Sequence, residues 1–121
     1  MNKKKTLVLG ASENTSRYSN LAVKSLTAHE HPVVAIGRRN GKIGEVEITK
    51  EHPSLSDIDT VTLYLNPTNQ KPYYDYIISL HPKRIVFNPG TENPELESLA
   101  EKNGITTQEA CTLVLLSTGQ Y

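Results

Sequence analysis

The stretch Leu7–Asn20 reads LVLGASENTSRYSN. An apolar, strand-forming run meets one glycine, a polar stretch follows, and helical spacing then begins. That is the outline of a phosphate-binding turn, but with one glycine where a dinucleotide-binding turn carries three. Ser12, Asn14, Arg17 and Ser19 stand where such a turn would have glycines. Gly10 removes the side chain where the strand turns, so the Gly10-Ala11 backbone can approach a ligand. The helix beyond offers unpaired N–H groups and the positive end of its dipole. A phosphate there is expected to meet those amides and the Ser12 or Ser19 hydroxyl, with Arg17 adding a two-pronged charged contact. The plainer alternative is that Gly10 only makes the turn and Ser19 only caps the helix.

Outward from this stretch, short apolar runs alternate with helical patterns. Strands are expected at 6–9, 32–36, 60–65, 84–87 and 105–108, with a short extra strand at 46–48 after a turn at Gly41 and Gly44. Continuous apolar runs suit strands covered on both faces, as in parallel sheets. Leu21, Ala22, Ser25 and Leu26 share one helical face, as do Tyr73, Tyr76, Ile77 and Leu80, and Leu96, Leu99 and Ala100. Asn93-Pro94 supplies a cap and first-turn proline, Asn103-Gly104 a stop, and a last helix is expected over 112–118. Strands alternating with helices imply an α/β fold: a doubly wound, mostly parallel sheet in a Rossmann-like three-layer arrangement. The 121 residues are read as one domain, 1–121. Ligands in such a sheet bind outside the carboxyl ends of the strands.

The loop after the second strand reads Gly37-Arg38-Arg39-Asn40-Gly41-Lys42. An NAD site would place an acidic residue there to bond the ribose hydroxyls. Three cations instead suit a phosphate on the adenosine ribose, as in NADP (2′) or coenzyme A (3′). A solvated basic turn is the plain alternative.

With these residues in place, the chain resembles the CoA-binding-domain family. These are small stand-alone Rossmann-like proteins related to the N-terminal domain of the succinyl-CoA synthetase alpha subunit. The resemblance rests on Gly10-Ala11-Ser12-Glu13-Asn14, Arg17-x-Ser19, the strand Val33–Ile36 with its basic turn, and Pro53-Ser54-Leu55-x-Asp57-Ile58. Arg84–Phe87 with its glycine-bearing loop, Asn103-Gly104-Ile105 and Glu109-Ala110-Cys111 complete it. It implies a site for coenzyme A or an acyl-CoA. Ser12, Arg17 and Ser19 would face the diphosphate, with Gly10, Ala11, Asn14 and Tyr18 in the same loop. Arg38, Arg39 and Lys42, after Gly37, would lie near the 3′-phosphate and adenine, and Asn66-Pro67 would border the pantetheine arm. Tyr18 stands where many relatives have proline, and the loop from Asn88 to Asn93 is more polar than usual.

Lys+Arg number 13 against 13 Asp+Glu, so bulk charge argues for neither nucleic acid nor an anionic membrane as partner. No segment approaches the ~20 apolar residues of a membrane span. The one cysteine, Cys111, permits no intrachain disulfide, and a cytoplasmic location is expected.

No catalytic or metal-binding set emerges. Of the four histidines, His31, His52 and His81 each precede a proline and are expected in extended lead-in segments, while His29 and His31 lack a third metal ligand nearby. Cys111 begins the last helix, where a thiol is either reactive toward the CoA thiol or simply packs. Glu92 and Glu109 have no paired nucleophile, and Glu109 is expected to bond the last helical turn. Tyr64 is expected on a core sheet face, with an aromatic wall for adenine as the alternative. The run Leu113–Leu116 suits a docked helix or an oligomer contact. The expected function is therefore a non-catalytic CoA-binding or regulatory module whose partner is a small nucleotide ligand. An NADP-binding oxidoreductase-like protein, and an assembly protein with a vestigial nucleotide site acting through a protein partner or second copy, are the alternatives.

Overall fold

The computed structural model describes residues 3–121. Seven strands form one sheet: β1 (Thr6–Leu9), β2 (Val33–Ile36), β3 (Gly41–Ile43), β4 (Val46–Thr49), β5 (Thr60–Leu63), β6 (Arg84–Phe87) and β7 (Thr106–Glu109). Their order is β3-β4-β2-β1-β5-β6-β7, and every pair is parallel except the β3–β4 hairpin. The chain winds outward from β1 through β2 to the hairpin, then returns to β1's other side and winds outward through β6 and β7. The reversal falls between β1 and β5, so ligand chemistry is expected above their carboxyl ends.

Both faces are covered. Leu7, Leu9, Val61, Leu63, Ile85 and Phe87 are buried in one core with Ile77, Leu96 and Ala100 from α3 (Tyr74–Leu80) and α4 (Pro94–Lys102). Val8, Ala35 and Ile48 are buried on the other face with Val23 and Leu26 of α1 (Tyr18–Ala28) and Leu115 and Leu116 of α5 (Thr112–Ser117). The chain is thus a three-layer, Rossmann-like α/β domain. The C-terminal apolar run docks as α5, leaving Val114 exposed. Among the described residues no helix is long and apolar enough to cross a membrane.

Several local expectations change. Ser19 does not cap α1: Arg17 is the N-cap residue with no side-chain bond, and Ser19 is buried in the first helical turn. Leu21 faces solvent, and Asn20 and Val23 join the buried face in its place. Gly41 opens β3 rather than a turn, because Gly44 (φ 59°) and Glu45 alone connect a hairpin paired at Ile43–Val46. The third expected strand stops at Leu63, and a short helix α2 (Pro67–Gln70) with a 3-10 turn (Lys71–Tyr73) follows. Asn66 caps α2 by accepting from the Asn69 amide at 2.9 Å. His81 is not extended; it closes α3 in left-handed geometry (φ 47°, ψ 52°). Glu109 ends β7, exposed, and its place in the last helical turn is not realised.

Candidate functional site

A cleft of about 770 Å³ opens above the carboxyl ends of β1, β2 and β5 and reaches the loop after β6. That volume lies within the range that holds a small ligand or cofactor. Two glycines create it. Gly10, at φ 96°, crosses the β1–β5 switch point so closely that a Cβ would sit 3.0 Å from the Tyr64 carbonyl. A Cβ on buried Gly37 would stand 2.2 Å from the Ala11 oxygen. The Gly10 and Ala11 amides both donate to the Ile36 carbonyl, at 2.9 and 3.0 Å. The first loop is therefore laid flat across the end of β2.

The loop's polar side chains are partly spent on its own shape. The Asn14 amide donates to Ser12 Oγ at 3.1 Å. Asn14 Oδ1 accepts from the Ser16 amide at 3.0 Å and the Ser16 hydroxyl at 2.7 Å. Asn20 Nδ2 donates to the Ser12 carbonyl at 2.9 Å, tying the first turn of α1 to the loop, while its buried Oδ1 has no partner. With no side-chain cap on α1, the Tyr18 and Ser19 amides and the positive dipole end are left for the loop side, while the Asn20 amide donates to the Arg17 carbonyl at 3.1 Å.

Gly10, Ala11, Ser12, Asn14, Arg17, Tyr18, Ser19, Arg38, Arg39 and Asn66 all line this cleft. Gly37, Lys42 and Pro67 do not. Gly37 lies behind the first loop, Lys42 is exposed on β3, and Pro67 is the first residue of α2. Three arginines and one carboxylate line the cleft, and that carboxylate, Glu13, accepts from the Lys42 amide at 3.0 Å. Gly41 must be small for this contact, since a Cβ would meet Glu13 Cδ at 2.5 Å. Exposed Tyr18 stands at the rim.

Beyond Asn66, which the sequence points to, the far wall is made by Leu65 and Asn69 after β5 and by Pro89, Gly90 and Thr91 after β6, residues whose type alone marks no ligand contact. The topology rule had pointed to these loops. The repeated Asn-Pro start, read correctly at Asn93-Pro94, was also the available signal for α2 at Asn66-Pro67. Tyr64 is on the core sheet face as expected, packed against the α1–α5 core, and it also reaches the cleft. Burial pushes its hydroxyl up to about 12, and that hydroxyl has no hydrogen-bond partner.

The other candidates stand elsewhere. Cys111 is the half-buried N-cap of α5 and does not line the cleft. Glu92 accepts from the Gly90 amide at 2.9 Å. His29 and His31 sit at the opposite end of the sheet, and His52 packs near the Tyr73 and Tyr76 rings at 4.8 and 5.0 Å. Among the described residues no three His, Cys, Asp or Glu side chains group as metal ligands. The cleft's chemistry is that of a holder: guanidinium groups and helix amides at one end, and a mixed polar and apolar wall at the other.

Comparison with known proteins agrees with this geometry. A structure of an uncharacterized protein is 49% identical, superposes with a TM-score of 0.97, and is covered over 100% of both chains. A hypothetical protein from Pyrococcus horikoshii OT3 shares 22% identity with a TM-score of 0.86, over 97% of this chain and 84% of that one. An oxidoreductase from Bacillus cereus shares 15% identity with a TM-score of 0.59, over 88% of this chain and 34% of that one, which is likeness of fold alone. No curated protein matches. The family model described as CoA binding domain matches residues 4–117, and the chain belongs to that family.

Proposed function

We propose that this protein binds coenzyme A or an acyl-CoA in the cleft above β1, β2 and β5, as a non-catalytic binding or regulatory module of the cytoplasm. The observation that carries the reading is the convergence of Arg17, Arg38 and Arg39 on one cleft beside the uncapped N-terminus of α1. The diphosphate would lie against the first loop, held by the Tyr18 and Ser19 amides at the start of α1, Ser12 and Arg17. Arg38 and Arg39 would meet the phosphate on the ribose. The arm would then run past Asn66 between the loops after β5 and β6. Lys42 and Pro67 would act from outside the cleft, through the hairpin and α2.

Isothermal titration with CoA, dephospho-CoA and NADP tests this. CoA is expected to bind tightest, and removal of its 3′-phosphate to weaken binding about tenfold, the worth of a charge-assisted contact. Equal affinity for CoA and dephospho-CoA would remove the role given to Arg38 and Arg39. Tighter binding of NADP than of CoA would overturn the reading.

A further inference from the structure

Gln70 is fully buried at the end of α2 and does not itself line the cleft. Its Nε2 donates to the Leu65 carbonyl and to the Thr91 carbonyl, each at 2.8 Å. Its Oε1 accepts from Asn93 Nδ2 at 2.8 Å. Both donors and the acceptor are thus engaged. The two carbonyls belong to different loops, one after β5 and one after β6, and both loops line the cleft.

The Asn93 side chain is held in turn. Its Nδ2 also donates to the Tyr74 hydroxyl at 2.8 Å, and that hydroxyl donates to Glu95 Oε1 at 2.9 Å. Its Oδ1 caps α4 by accepting from the Glu95 and Leu96 amides. Thr91 is anchored on its other side, its amide and hydroxyl both donating to the Asn88 carbonyl. A buried polar network with its members paired is rigid, and a partly paired one is costly. One amide nitrogen therefore ties the Leu65 and Thr91 backbones to each other and fixes their separation.

We propose that Gln70 is a positioning residue that fixes the gap between the post-β5 and post-β6 loops and so sets the affinity of the cleft for the arm of its ligand, not for its nucleotide. This rests on the CoA reading above. The nucleotide end is built from the first loop and Arg38–Arg39, which Gln70 does not touch. Loosening the clamp costs the pre-organisation of one end only.

The test compares the whole chain with Gln70→Met and Gln70→Glu, titrating CoA and adenosine 3′,5′-bisphosphate, which keeps the adenosine, the 3′-phosphate and one 5′-phosphate but has no arm. Both variants keep the length of the side chain; Gln70→Met loses both donors, and Gln70→Glu keeps at most the one of a protonated carboxyl, too few to bridge both carbonyls. We expect CoA affinity to fall about tenfold while bisphosphate affinity stays within about twofold. Equal losses for both ligands, or no loss for either in a folded variant, overturn the clamp. Loss of folding in both variants also overturns it, because Gln70 then serves the fold and not the site. Failure of the unaltered protein to bind either ligand is a different result: it refutes the CoA reading itself, and the clamp with it.

Discussion

Both ends of the sheet carry cations, and the two ends use them differently. At the amino ends of the strands Lys3, Lys4 and Arg84 are consumed internally. Lys3 Nζ donates to the His29 carbonyl and Lys4 Nζ to the Tyr121 carbonyl. Arg84 donates to Thr60 and Gln108 and lies 4.5 Å over the Tyr121 ring. The Thr6 hydroxyl donates to the Lys4 carbonyl, so the Tyr121 hydroxyl, 2.6 Å from Thr6 Oγ1, is the donor in that pair. At the carboxyl ends, Arg17, Arg38 and Arg39 are exposed around an open cleft. Charge that closes the fold at one end is left available to a ligand at the other. Position relative to the strand ends, rather than the number of cations, separates the two roles.

The sharpest way to break this contrast is at the backbone of the open end. Gly37→Ala drives a methyl into the Ala11 oxygen, so it should destabilise by about 3 kcal/mol or more and displace the first loop. Urea unfolding reads the first effect and CoA titration the second. A variant of unchanged stability would mean that the close approach is not required. Next comes the closed end. Tyr121→Ala removes a buried ring and should cost about 3 kcal/mol, with CoA affinity unchanged in the folded protein. Lost affinity there would show that the two ends are coupled.

Arg38→Ala combined with Arg39→Ala should do the reverse. Unfolding should shift by less than about 0.5 kcal/mol, as for exposed residues, while CoA affinity falls about tenfold or more. A large stability loss would place these arginines with the internally consumed cations. The smallest effect is expected from pH. His31 Nδ1 accepts the Lys4 amide at 3.0 Å, which requires the neutral ring. Burial, and then the charges of Lys3, His29, Lys4 and Arg84, hold its pKa below the usual 6.5. Its contribution is therefore full above about pH 6.5, and fades as pH falls below that value and the unfolded chain takes up a proton first. Melting temperature against pH, compared with His31→Leu, should show a shallower acid decline in the variant; identical slopes would refute the assignment.

Much of the fold was legible because its signals are local. β6 is an apolar run bounded by turn formers, and its limits were read as they stand at Arg84 and Phe87. Asn93-Pro94 announced α4 because a capping side chain reaches only its own next few amides. Ser19 misled for the complementary reason. Capping depends on where helical geometry begins, and α1 begins at Tyr18, one residue before it. Most of the arginine-bearing end of the cleft lies in two contiguous loops, so residue type and spacing single out its lining residues. The link between the post-β5 and post-β6 loops was not legible, because Gln70 finds its partners 5 and 21 residues away and nothing in its neighbours names them.

By itself, the sequence determined the alternation of strands and helices, the parallel character of the sheet, and the two loops that carry Arg17 and the Arg38–Arg39 pair, since each follows from neighbours along the chain. Only the tertiary structure decided that Gly37 must be bare, that Tyr64 serves core and cleft together, and that one glutamine spaces two loops. Those outcomes depend on distances between segments far apart in the chain, which packing sets and local pattern does not encode.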